Sequence, residues 1–97
     1  MMLVRVVRME FEPAKVQDFL SLFEERRNTI SKQAGCSHLE LLQDASKENI
    51  YYTLSHWKCE EDLNNYRESD FFKETWEQTK RLFSNKPSAY SLLKMDQ

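Results

Sequence analysis

Five side chains near the middle of this sequence are of types that do chemistry together. His38 and Glu40 stand two apart in one apolar-rich segment, and Thr53, Ser55 and Trp57 alternate in the next. Side chains two apart in an extended segment lie on one face. If the two segments pair as a hairpin with Gln43 opposite Ile50, both sets share a face. Leu39, Leu41, Ile50, Tyr52 and Leu54 then share the other, with His56 at its margin. A one-residue slip would mix the two sets, so the register that keeps one face apolar is the expected one. If the polar face looks onto a pocket, His38 serves as a general base near neutral pH. Trp57 stacks on a planar aromatic ligand, and Glu40, Thr53 and Ser55 supply hydrogen bonds. The competing reading is a satisfied polar cluster in which His38 and Glu40 bond to each other and to Arg26 or Arg27.

Other reactive groups carry less. Cys59 is expected at a helix start, where a thiol is either activated or merely fills a cap position. No histidine nearby in sequence is placed to pair with it as a nucleophile. Cys36 and Cys59 are the only cysteines, so no disulfide scaffold is expected, and in a reducing compartment both stay thiols. No C-x-x-C, H-E-x-x-H or glycine-rich loop is present. His38 and His56 are expected on opposite faces, so no metal is expected. Phe72, Trp76, Thr79 and Phe83 recur at helical spacing and read as ordinary core.

The elements that must position these groups follow from periodicity and punctuation. Residues 2–11 are rich in β-branched and apolar types and read as a strand. Pro13 suits the first turn of a helix, where a missing N–H costs nothing. Val16, Phe19, Leu20, Phe23, Ile30 and Ala34 then follow at helical spacing up to Gly35, which can take the left-handed conformation. Residues 36–43 and 50–57 read as strands joined by a polar loop. A short helix over about 60–67 and a second one capped by Ser69 come next. Pro87 ends that region, and 88–95 form a last strand. The order is β-α-β-β-α-β, the ferredoxin-like arrangement, an α+β fold. Its four-stranded antiparallel sheet carries its helices on one face and leaves the other open. A second copy covering the open face would give an isologous homodimer.

Composition bounds the function. The chain has 97 residues, so one domain spanning 1–97 is expected. Its 14 basic against 16 acidic side chains give a net charge of −2, with none of the basic excess that nucleic acid requires. No apolar run reaches the length of a membrane span, and the first residues lack the features of a signal peptide. A cytoplasmic protein with no nucleic-acid or membrane partner is expected.

The stretch WKCEEDLNNYRESDFF, residues 57–72, resembles the signature W-x-S-x-E-x-L-x-x-H-x-x-S-x-x-F of the antibiotic biosynthesis monooxygenase domain. Trp57, Glu61, Leu63, Ser69 and Phe72 match it; Cys59 replaces its Ser and Tyr66 its His. The run from Gly35 to Leu41 is similar to the segment that opens the family's second strand. The resemblance implies a dimeric α+β barrel in which two sheets meet face to face. It also implies a small-molecule pocket between each sheet and its helices. The best-known members oxidise polycyclic aromatic substrates with O2 and use no cofactor.

In the quinone-forming branch a Trp at the third strand's end matches Trp57, while an Asn falls on Thr53 and a Tyr on Leu63. Tyr66 keeps the capacity to hydrogen-bond. The haem-degrading branch's Trp and His fall on Tyr66 and Trp76, so haem is not expected. The resulting expectation is a cofactor-independent monooxygenase for a small aromatic or quinol. His38 and Trp57 carry its chemistry, and Glu40, Thr53, Ser55 and Tyr66 hold the substrate. The alternatives are a non-catalytic binding dimer of the same fold and an isomerase-like member.

Overall fold

The structure is a computed structural model that describes residues 1–95, so 96 and 97 of the expected 1–97 domain lie outside the described residues. Valines and other apolar residues put the first segment into strand β1, Leu3–Glu10. Pro13 opens a single 3-10 turn, Pro13–Lys15, that runs into helix α1, Val16–Ser31. Gly35 follows at φ +85°, a left-handed conformation that favours glycine. A Cβ there would also run into the side chain of Asp62. Two strands follow, β2 (Cys36–Gln43) and β3 (Ile50–Trp57). Their loop is held without glycine, because the Asp44 carboxylate accepts from the amides of Ser46 (2.9 Å) and Lys47 (3.0 Å).

Helix α2, Glu60–Arg67, starts at Cys59 with no side-chain cap. Helix α3, Asp70–Lys80, starts at Ser69, whose Oγ accepts from the Phe72 amide at 3.1 Å. Strand β4, Ser88–Leu93, is the last element among the described residues. The sheet is fully antiparallel with order β2-β3-β1-β4. The fold is therefore the expected ferredoxin-like α+β arrangement, with its second helix in two pieces. No helix among the described residues is long and apolar enough to cross a membrane.

One feature of the hairpin differs from expectation. Cys36 lies opposite Trp57, as the expected register requires. A bulge between Cys36 and His38 then shifts the pairing by one, so Leu39 faces Ser55 and Gln43 faces Tyr51. One extra residue on a strand reverses every later side chain relative to its partner strand. Leu39 and Leu41 therefore join Thr53, Ser55 and Trp57 on the helix-covered face. His38, Glu40 and Leu42 join Tyr52, Leu54 and His56 on the open face. Ile50, of the same parity, is buried at the strand's start.

Two apolar clusters form on the helix-covered face. Met9, Phe11, Phe19, Phe23 and Tyr51 make one, and Leu3, Trp57, Leu63 and Tyr66 the other.

Candidate functional site

A cavity of about 390 Å³ opens between the two clusters. Val7, Thr53, Ser55 and Trp57 contribute to its floor from the sheet; Phe23, Tyr66 and Trp76 face them from the helices. A space of that size suits a small ligand. It exists because the covered sheet face carries the small side chains Thr53, Ser55 and Ala89 where larger ones would fill the gap.

Aromatic rings from Trp57 to Trp76 run along the cavity in an unbroken series that continues to Phe83 beyond its lining. Trp57 stacks on Tyr66 (centroids 5.3 Å apart, 21° between planes), and Tyr66 meets Phe72 edge-on at 5.1 Å. Phe72 stacks on Trp76 at 6.0 Å, and Trp76 meets Phe83 edge-on at 5.6 Å. The spacing expected for core on α3 thus lines the cavity: Phe72, Trp76 and Thr79 all face it. Sequence periodicity identifies a buried face but does not separate a filled core from a hollow one.

Trp57 is fixed by burial and by a hydrogen bond. Only 1% of its surface is exposed, and its indole N–H donates to the Ser55 Oγ at 2.9 Å. The Ser55 hydroxyl lines the cavity, but its acceptor capacity is partly used in holding the indole. Burial, and secondarily the neighbouring Cys36 thiol, push the Tyr66 phenol well above its usual range. Tyr66 therefore stays a neutral hydroxyl near neutral pH. Burial likewise raises the Cys36 thiol, which donates to the His38 carbonyl. Cys59 is exposed, and its sulfur lies 3.4 Å from an Asp62 carboxylate oxygen.

Four of the six expected site residues line this cavity: Trp57, Thr53, Ser55 and Tyr66. His38 and Glu40 do not. The bulge turns both to the open face, with side chains 46% and 43% exposed and His38 Nε2 3.4 Å from Glu40 Oε1. They pair with each other, as the competing reading held, but not with an arginine of α1. Arg26 donates to Thr75 Oγ1 at 2.9 Å and pairs with Glu25 and Glu74, while Arg27 pairs with Glu24. His38 and His56 share a face, with ring centroids 5.0 Å apart, where opposite faces were expected. No group of three potential metal ligands forms among the described residues.

Sequence reasoning missed Arg5 and Arg67, which both line the cavity. An arginine inside a strand that otherwise reads Leu-Val-Val-Val is the signal that could have found Arg5. No Asp, Glu or His is among the lining residues.

A family model for antibiotic biosynthesis monooxygenases matches residues 2–78. Solved structures superpose over nearly the whole chain. A conserved protein from Methanosarcina mazei Go1 is 27% identical with a TM-score of 0.90, covering 98% of this chain and 95% of its own. A protein from Caulobacter crescentus CB15, named provisionally as an antibiotic biosynthesis monooxygenase, is 20% identical with a TM-score of 0.91 and coverages of 98% and 91%. Rv0793 from Mycobacterium tuberculosis is 14% identical, with a TM-score of 0.90 and coverages of 100% and 98%. No match was found among curated proteins.

Proposed function

The chain belongs to the antibiotic biosynthesis monooxygenase family, and from that premise we propose that it oxidises a small aromatic or quinol-type substrate with O2 in the cavity between sheet and helices. The observation that carries this reading is the aromatic-lined cavity, with Trp57 held rigidly by Ser55 and stacked on Tyr66. A planar substrate fits such a wall because offset ring stacking adds to the burial of apolar area. Its deprotonated form supplies the electrons. For an activated ring CH2, one oxygen atom becomes the new C=O and the other leaves as water with the two hydrogens, so the substrate alone balances the reaction. Thr53 and the neutral hydroxyl of Tyr66 are the hydrogen-bonding groups for the substrate anion. The apolar walls keep out water, which would weaken those bonds.

The monooxygenase works as one domain over 1–97 and as a homodimer. Val4, Val6, Leu54, Tyr90 and Leu92 lie on the open sheet face by register, and Tyr90 and Leu92 are more than half exposed. A second copy of the same face is the simplest cover for it. A face-to-face pair of sheets buries Leu54 and leaves both cavities on the outer sides.

A second reading, a non-catalytic binding dimer, is favoured by the lack of a carboxylate or imidazole in the cavity lining. Oxygen uptake separates the two. With a panel of anthrones and naphthohydroquinones, the monooxygenase consumes O2 above the uncatalysed rate and Trp57→Phe slows it. Ligand binding without any O2 consumption would favour the second reading.

A further inference from the structure

Two cations line a cavity whose walls are mostly apolar, and among the described residues neither has an acid to pair with. Arg5 lies on the cavity floor, with Ser55 across on β3 and Ser91 across on β4. Its guanidinium donates to Ser91 Oγ at 2.9 Å, a neutral acceptor that uses one of five N–H groups. Arg67, in the last turn of α2, lines the same cavity. Among the described residues neither arginine forms an ion pair, although Arg8, Arg26 and Arg27 all do. Burial, and next the positive charge of Arg67, lower the Arg5 guanidinium below its ordinary value. Arg5 is half-buried and Arg67 exposed at the cavity's edge; two like charges there repel each other, and a bound anion relieves both.

We propose that the ligand of this cavity is an aromatic acid, a planar ring system carrying a carboxylate that Arg5 and Arg67 bind. The guanidinium fork matches a carboxylate in plane and spacing, and a charge-assisted bond is stronger than a neutral one. The rings from Trp57 to Trp76 take the flat body, and the arginines fix which end of it enters. This rests on the reading of the cavity as an aromatic pocket and adds the charge of the substrate to it. Arg5 and Arg67 are binding residues here, and they also offset the lack of a carboxylate or imidazole in the lining by stabilising negative charge on the ligand.

The test is calorimetric titration of the full chain at pH 7 with 2-naphthoate and with 2-naphthamide, which share shape and size and differ in charge. The carboxylate should bind at least about tenfold more tightly, the scale of one charge-assisted bond. Arg5→Met should remove most of that ratio and leave the amide affinity unchanged. Arg67→Met, on an exposed helix position where folding is not at risk, should reduce the ratio severalfold. Equal binding of both probes, or a ratio that survives both substitutions, would overturn the anionic ligand while leaving the aromatic pocket standing. Binding of neither probe would overturn both.

Discussion

The two faces of one sheet carry opposite solutions to the same problem. On the helix-covered face the apolar surface is enclosed, yet small side chains leave a cavity that Trp57, Tyr66 and Trp76 border. On the open face large apolar groups, Tyr90 and Leu92 among them, project outward from β4, and the exposed pair His38 and Glu40 stands at the opposite edge on β2. The first face is suited to a ligand and the second to a partner. What assigns a residue to one or the other is only its parity along the strand, and a single bulge at β2 changes that assignment for a whole strand.

The division can be broken most severely from the open side. Leu54→Lys places a charge where two copies would meet, and an unpaired buried charge costs several kcal/mol. Light scattering at micromolar concentration should change from twice the chain mass to the chain mass. A wild type that is already monomeric would remove the partner role from this face.

On the enclosed side, Trp57→Ala empties a site that is almost fully buried and should cost roughly 3–5 kcal/mol, read as a lowered denaturation midpoint. A smaller effect comes from pH. The Tyr66 phenol is raised on folding, so its contribution to stability is complete below the unfolded value of about 10 and is lost as pH rises above it. Stability should then fall by up to about 1.4 kcal/mol per pH unit, and Tyr66→Phe should remove that part of the slope. Ser55→Ala leaves the Trp57 indole N–H without its acceptor and should cost about 1–3 kcal/mol, at or near the low end because the cavity can supply water. The smallest change is expected from His38→Ala. It removes an exposed side chain outside the cavity and should shift stability by less than about 0.5 kcal/mol, with ligand affinity unchanged.

The sequence-based reading placed the elements closely. The bounds of β2, β3 and α2 match, because alternation over 36–43 and 50–57 and the turn residues between them are local signals. Ser69 is legible as a cap for the same reason. The bulge is not legible, because it depends on how the far ends of the two hairpin strands meet around Ser37, and neither strand alone encodes that. One coherent apolar face favours a register that the bulge overturns for most of the hairpin, moving His38 and Glu40 out of the pocket and Leu39 and Leu41 onto its side. Thr53, Ser55 and Trp57 survived because their side of β3 is fixed by Trp57 itself, a residue too large to leave exposed. Tyr66 was found through the 57–72 signature. Arg5 was missed because a charge inside a strand reads as an outward-facing residue until the cavity beneath it is seen.

The two faces can be compared in a single spectrum. In heteronuclear NMR of the full chain, the indole N–H of Trp57 reports the enclosed face and the imidazoles of His38 and His56 report the open one. Titration with 1-naphthol should shift the Trp57 indole resonance and leave both imidazoles in place. Shifts of the imidazoles with an unmoved Trp57 would put the ligand on the open face and contradict the assignment of the cavity as the functional site.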